Sequence, residues 1–282
     1  MPFAASVSEH PVTATAIGET AGELLETLGA GADLVTLFVS PHHAGALEDA
    51  AAAARVILRP GALIGCAAAG VIGNGKEIEA TAGVAVWGLR GRRVVTTHIV
   101  MEAGPGAEAT VFGWPSRLPF PPALVVLIAD PFSFPSAEFV AWLGRRHPGV
   151  PVVGGNASAG RGPGANRLVA DGTVAAEGAV AAIIGPGPDI TTLVSQGCRP
   201  VGQPFVVTRA ERRMVYELGG QPAYTRLLDM ARSDLSDADR RMLGQAVYLG
   251  VVIDEYREIY GPGDFLVRKV IGADKEAGAI AL

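Results

Sequence analysis

Hydrophobic positions along this chain gather in short, continuous runs broken by glycine and proline. Leu34 to Val39, the run at Leu63-Ile64, Leu124 to Ala129 and Val150 to Val153 read as strands covered on both faces. Helical spacing lies between them. Leu24, Leu25 and Leu28 form a stripe in Glu19 to Leu28, stopped by Gly29-Ala30-Gly31, and the alanine-rich segment Ala44 to Leu58 ends at Arg59-Pro60-Gly61. A third helix is expected to begin at Pro135 or Ser136, to turn Phe139, Val140 and Leu143 inward, and to close at Arg145 to Gly149. Val84 to Leu89 and Val94 to Met101 read as an antiparallel hairpin across Arg90-Gly91-Arg92-Arg93. Met1 to Gly18 shows no period.

The texture changes after Gly185-Pro186-Gly187-Pro188. Thr208-Arg209-Ala210-Glu211 fits a capping box and predicts a helix to Leu218, stopped by Gly219-Gly220; Pro222 and Ser236 each open another. Strands are expected at Ala246 to Ile253, Phe265 to Ile271 and Ala279 to Leu282. The last reads as a free edge at the chain end, with the expectation that the natural protein continues.

The pattern repeats. Leu34 to Pro41 matches Leu124 to Pro131, the tract Leu63-Ile64-Gly65-Cys66-Ala67-Ala68-Ala69-Gly70 matches Val152 to Gly160, and Ala82-Gly83-Val84-Ala85 matches Gly178-Ala179-Val180-Ala181. The offsets are 90, 89 and 96 residues, so two copies are expected at about 33–101 and 123–185, each strand, helix, strand, glycine-rich loop, strand. The fold class that follows is α/β: two βαββ-type repeats with mixed sheets flanked by helices, followed by a partial α/β C-terminal domain. Tiny residues after a buried strand allow tight bends, so the equivalent loops are expected to enclose a hollow.

Composition narrows the partners. A chain of 282 residues with 49% hydrophobic content can bury large cores, and its length favours two domains. A net charge of −5 argues against nucleic acid. No run reaches the roughly 20 apolar residues of a membrane span, and no basic leader precedes an apolar core. A cytoplasmic protein with two free thiols, Cys66 and Cys198, is expected.

Ile64 to Ile72, then Val153-Gly154-Gly155, and above all Ser195-Gln196-Gly197-Cys198-Arg199-Pro200-Val201-Gly202 followed by Val207-Thr208, resemble the FIST family. Gly250 to Glu255 and Asp264 to Arg268 also fit. The resemblance implies an N-terminal FIST domain over 1–188, the beginning of a C-terminal FIST domain over 189–282, and a sensory role. The implied ligand is a small molecule, an amino acid or related metabolite, read out by a signalling partner. Some relatives bind haem as nitric oxide sensors. No catalytic residue is carried over.

The residues supply the candidate site: Gly65 and Cys66 of the first tract, Gly154, Gly155, Asn156 and Ser158 of the second, and the turn Gln196, Gly197, Cys198 and Arg199. Arg199, held extended before Pro200, offers a guanidinium fork to a carboxylate or forms an interdomain ion pair. Asn156 and Ser158 orient a polar ligand or bond their own turn. Cys66 and Cys198 are nucleophiles of a thiol-dependent hydrolase or small hydrophobes. His98, inside Thr97-His98-Ile99-Val100, is the haem candidate or an ordinary core or surface histidine. No metal ligand set is expected: His42 and His43 diverge, and no cysteine–histidine haem motif is present. Gly70 to Lys76 fits most of a phosphate-binding loop, but Glu77 stands where Ser or Thr should bind magnesium. It reads as a hairpin turn, and no cofactor is expected.

Overall fold

The computed structural model describes residues 3–103, 109–187, 191–192, 198, 200–233, 235–245, 247–253, 260 and 264–282. It divides into two compact units, Met1–Thr192 and Leu193–Leu282.

The first unit begins with β1 (Phe3–Ser8), α1 (Thr13–Leu28), β2 (Leu34–Val39), α2 (Leu47–Leu58), β3 (Leu63–Ala67), β4 (Gly70–Gly73), β5 (Lys76–Glu79) and β6 (Val84–Leu89). It continues through β7 (Val94–Ala103), β8 (Ala109–Phe112), β9 (Leu124–Ala129), α3 (Ser136–Arg146), β10 (Val152–Asn156), β11 (Leu168–Ala170), β12 (Thr173–Ala175) and β13 (Ala179–Ile184). One sheet has the order β1-β6-β2-β3-β11-β12 and the other β10-β9-β13-β7-β8.

The continuous apolar runs follow from burial on both strand faces. Val35, Leu37 and Val39 pack against Ile17, Leu24, Leu47 and Ala54 of α1 and α2, while Leu34 and Phe38 turn to the other sheet. In β9, Val125, Leu127 and Ala129 pack against Phe139 and Leu143 of α3, and Leu124, Val126 and Ile128 meet the first sheet. The result is four layers, helix, sheet, sheet, helix, with a core in each gap. Val140, expected inside, is 46% exposed; Trp142 and Trp114 complete the α3 cluster in its place.

The two halves have the same pairing. β3 lies parallel to β2 with Leu37 opposite Gly65, and β10 lies parallel to β9 with Leu127 opposite Gly154. β6 runs antiparallel to β2, as β13 does to β9. Between the second and third strands each half inserts a hairpin, β4–β5 or β11–β12. The second hairpin joins the first half's sheet through β3. Asn74 (φ 48°) and Gly75 (φ 76°) make the tight turn of β4–β5, so the glycine-rich stretch around them is a hairpin, as its sequence predicts.

Three expectations are corrected here. β6 and β7 do not pair with each other; they belong to different sheets. The Asp33 carboxylate accepts the Gly91 and Arg92 amides at 2.5 and 3.0 Å, and this turn carries the chain between sheets. The first residues, without visible period, form β1 and the start of α1, whose N-cap, Val12, makes no capping bond. Strand β10 begins at Val152, later than expected, and extends through both glycines to Asn156.

The second unit contains β14 (Val207–Glu211), β15 (Met214–Leu218), β16 (Gln221–Pro222), α4 (Ala223–Arg232), α5 (Asp237–Gln245), β17 (Tyr248–Val252), β18 (Phe265–Lys269), β19 (Gly272–Asp274) and β20 (Ala279–Ala281). Its sheet runs β14-β15-β20-β19 around Val215, Leu218, Ala223 and Ile280. The helix expected from Thr208 to Leu218 is instead the hairpin β14–β15, reversed at Arg212 with φ 53°. Thr208 Oγ1 accepts the Gly220 amide at 3.0 Å, so it closes a turn where a cap was expected. The true box is at Ser236, whose Oγ accepts the Asp239 amide at 3.1 Å. β20 is not a free edge, being paired on one side with β15 and on the other with β19.

Candidate ligand-binding site

The loops leaving the central strands are built alike. Beyond β2, the Ser40 amide donates to Gly83 O at 2.8 Å and Ser40 Oγ accepts the Gly83 amide at 2.9 Å. Beyond β9, the Asp130 amide donates to Gly178 O at 2.8 Å and Ser133 Oγ accepts the Gly178 amide at 2.9 Å. Ala68 N–H bonds Val39 O at 2.9 Å, and Ala157 N–H bonds Ala129 O at 2.8 Å. The two loops then meet: the Ala69 amide donates to Ser158 Oγ at 2.9 Å, across 89 residues of chain. Both tracts therefore lie together at the carboxyl ends of β2, β3, β9 and β10, where ligand crevices form in α/β sheets.

Asp130 holds the second loop. Its side chain is fully buried, with Oδ1 accepting Asn166 Nδ2 at 2.8 Å and Oδ2 accepting Ser133 Oγ at 2.6 Å and the Phe132 amide at 3.2 Å. Asn166, also fully buried, accepts the Gly160 amide at 2.7 Å. The carboxylate thus fixes the far end of the loop that carries Ser158. Neither residue was singled out from the sequence; only the match of Ser40-Pro41 to Asp130-Pro131 pointed toward this position.

The predicted residues separate into two groups. Gly154, Gly155, Asn156 and Ser158 are exposed on the edge strand β10 and the loop after it. Among the described residues the Asn156 amide group has no hydrogen bond, and Ser158 bonds across to Ala69 rather than within its own turn. Gly65 and Cys66, by contrast, are interior. Gly65 lies in β3 where a Cβ would overlap the Leu37 carbonyl, and its lack of a side chain serves strand approach instead of a ligand cradle. Cys66 is 2% exposed in the core between the sheets, and burial pushes its thiol up to about 12. A thiol so held is protonated at neutral pH and unsuited to nucleophilic attack. Cys198 is exposed. Gln196, Gly197 and Arg199 lie outside the described residues.

The histidines also find places. Nε2 of His98 donates to Glu177 O at 2.8 Å, so that nitrogen is occupied by a backbone carbonyl rather than open to iron. His43, 1% exposed, has Nδ1 2.8 Å from Thr13 Oγ1 in the first turn of α1. Burial, followed by the neighbouring His42, holds its pKa below the ordinary value. His147 is lowered likewise by burial and Arg146. Because folding depresses these pKa values, stability is complete above about pH 6.5 and declines as pH falls through that value toward the folded pKa values. The melting temperature is expected to drop between pH 7.5 and 5.5, and His43→Gln to flatten that dependence. An unchanged slope in this variant would show that His43 does not contribute.

The fold and the paired loops define a two-sheet α/β domain with an exposed polar edge at the strand ends. The FIST N domain matches residues 33–221 of this chain. An uncharacterized protein of Mycobacterium tuberculosis is 36% identical over 284 residues, covering 100% of this chain and 73% of the relative. One of Mycobacterium bovis is 33% identical over 284 residues, covering 100% of this chain and 72% of the relative. The chain belongs to the FIST family, a family of sensory domains. The matched segment continues past the division at Thr192 into the second unit. Among the described residues no helix is long and apolar enough to cross a membrane.

Proposed function

We propose that this chain is the sensory part of a cytoplasmic signalling protein and binds a small zwitterionic or anionic metabolite, an amino acid or a close relative, at the meeting of its two glycine-bearing loops. The observation that carries this reading is the Ala69–Ser158 hydrogen bond, which joins equivalent ends of two equivalently paired halves. The shared register and loop bonding support their origin as two copies of one unit. Ser158 keeps a hydroxyl proton to donate to a carboxylate, and Asn156 offers both a donor and an acceptor. A ligand drawn to both loops biases their spacing, and the partner reads that change.

The test is a thermal-shift screen of the free amino acids on the purified chain, followed by calorimetry on any stabilising compound. Asn156→Ala and Ser158→Ala are expected to weaken binding about tenfold each, the effect of losing one hydrogen bond to a charged group. Full affinity in both variants would refute this placement.

A further inference from the structure

At the other end of the same strands lies a second feature, independent of the loop site. The proline-rich segment Pro115–Pro122 joins the two halves and borders two neighbouring cavities that share Pro119 and Phe120. One, of about 430 Å³, is also lined by Arg146 and His147; the other, of about 290 Å³, by Asp33, Arg92 and Arg93. These residues precede or open the strands: Asp33 leads into β2, Arg93 into β7, Pro122 toward β9 and His147 toward β10.

The chemistry of this groove is cationic and flat-sided. The Arg93 guanidinium carbon lies 5.0 Å from the centre of the Phe120 ring, and that of Arg146 lies 5.6 Å from the Trp142 ring. Neither has a carboxylate partner among the described residues, and Asp33, the acid that lines the smaller cavity, is engaged by the Gly91 and Arg92 amides. His147 adds a buried Nε2 with no hydrogen-bond partner. Two arginines with no counter-ion among the described residues, beside cavities in a chain of net charge −5, do not follow from overall charge. A guanidinium laid on a ring keeps its N–H edge directed outward, a geometry that suits the paired oxygens of carboxylate or phosphate. Proline and phenylalanine side chains offer contact area and no polar groups of their own.

We propose that this groove binds a small organic oxyanion, a carboxylate or phosphate ester carried on an apolar body, with Arg93 and Arg146 as its anchors. Benzoate and phenyl phosphate represent the two sources of the anionic group, and acetate and inorganic phosphate lack the apolar body. Each is titrated into the full chain at low ionic strength, following tryptophan fluorescence, since Trp142 lies beside Arg146 and Trp114 beside His147. Saturable binding of at least one aromatic anion is expected, weakened about tenfold or more by Arg93→Ala and by Arg146→Ala, each a lost charge-assisted contact. Arg161→Ala, in the loop between β10 and β11 at the opposite end of the strands, is expected to leave it unchanged, so that failure here is distinct from failure of the loop site. Absence of saturation for both aromatic anions, equal affinity for the small anions, or full affinity in both arginine variants would overturn the proposal.

Discussion

Gly65→Ala is expected to prevent accumulation of folded protein or to destabilise it by at least about 3 kcal/mol, at or beyond the upper end of ordinary overpacking. The added methyl group overlaps the Leu37 carbonyl, and that oxygen belongs to the paired backbone of β2. No rotamer change relieves such an overlap; two parallel strands in the centre of a sheet must separate. Gly154→Ala repeats the experiment in the second half, where the methyl group overlaps Leu127 O and the backbone has φ 145°. Gly155→Ala is the control one position along the same strand, with nothing within 4 Å of its Cβ. It is expected to stay within about 1 kcal/mol of the parent. All three tryptophans lie in the first unit, so tryptophan fluorescence during urea unfolding reports that unit alone. A Gly65→Ala chain with the parent's midpoint and slope would contradict the close strand approach on which the β2–β3 pairing rests.

Asp130→Ala is expected to cost about 2–4 kcal/mol, because besides removing an acceptor it strands one buried donor, the Asn166 amide. Asn166 is fully buried from bulk solvent, and Ser133 and the Phe132 amide lose the same carboxylate. The loss should spread along the 157–166 loop, which Asn166 closes at Gly160. Hydrogen exchange at the Gly160 and Ala157 amides should therefore quicken before global unfolding. Exchange unchanged in this loop would show that Asp130 is not its anchor.

Strands β2, β3 and β9 were legible because each is a continuous apolar run, and burial on both faces requires such runs. The hairpin at Asn74-Gly75 was legible because Glu77 rules out a phosphate loop, leaving the glycine-rich stretch to a turn. Pairing was less accessible. Val84 to Leu89 and Val94 to Met101 carry the alternation of a hairpin, yet they belong to different sheets, and Asp33, which holds the turn between them, is too distant in sequence to signal it. The box at Thr208 failed for a related reason: its residues suit a strand as well as a helix, and pairing with β15 decided between them. In the candidate site, glycine signalled close approach correctly, but not whether the approaching group was a ligand or a neighbouring strand. Gly65 meets a strand. The exposure of Gly155 and Asn156 depends on β10 being an edge, which only the sheet order reveals.

The most direct measurement is amide NMR of the chain during titration with whichever amino acid raises its melting temperature. Joint displacement of the Ala69, Gly155, Asn156 and Ser158 signals along one saturation curve is the predicted result. Movement confined to Arg93, Phe120 and Arg146, with those four signals still, would contradict a ligand site at the meeting of the loops.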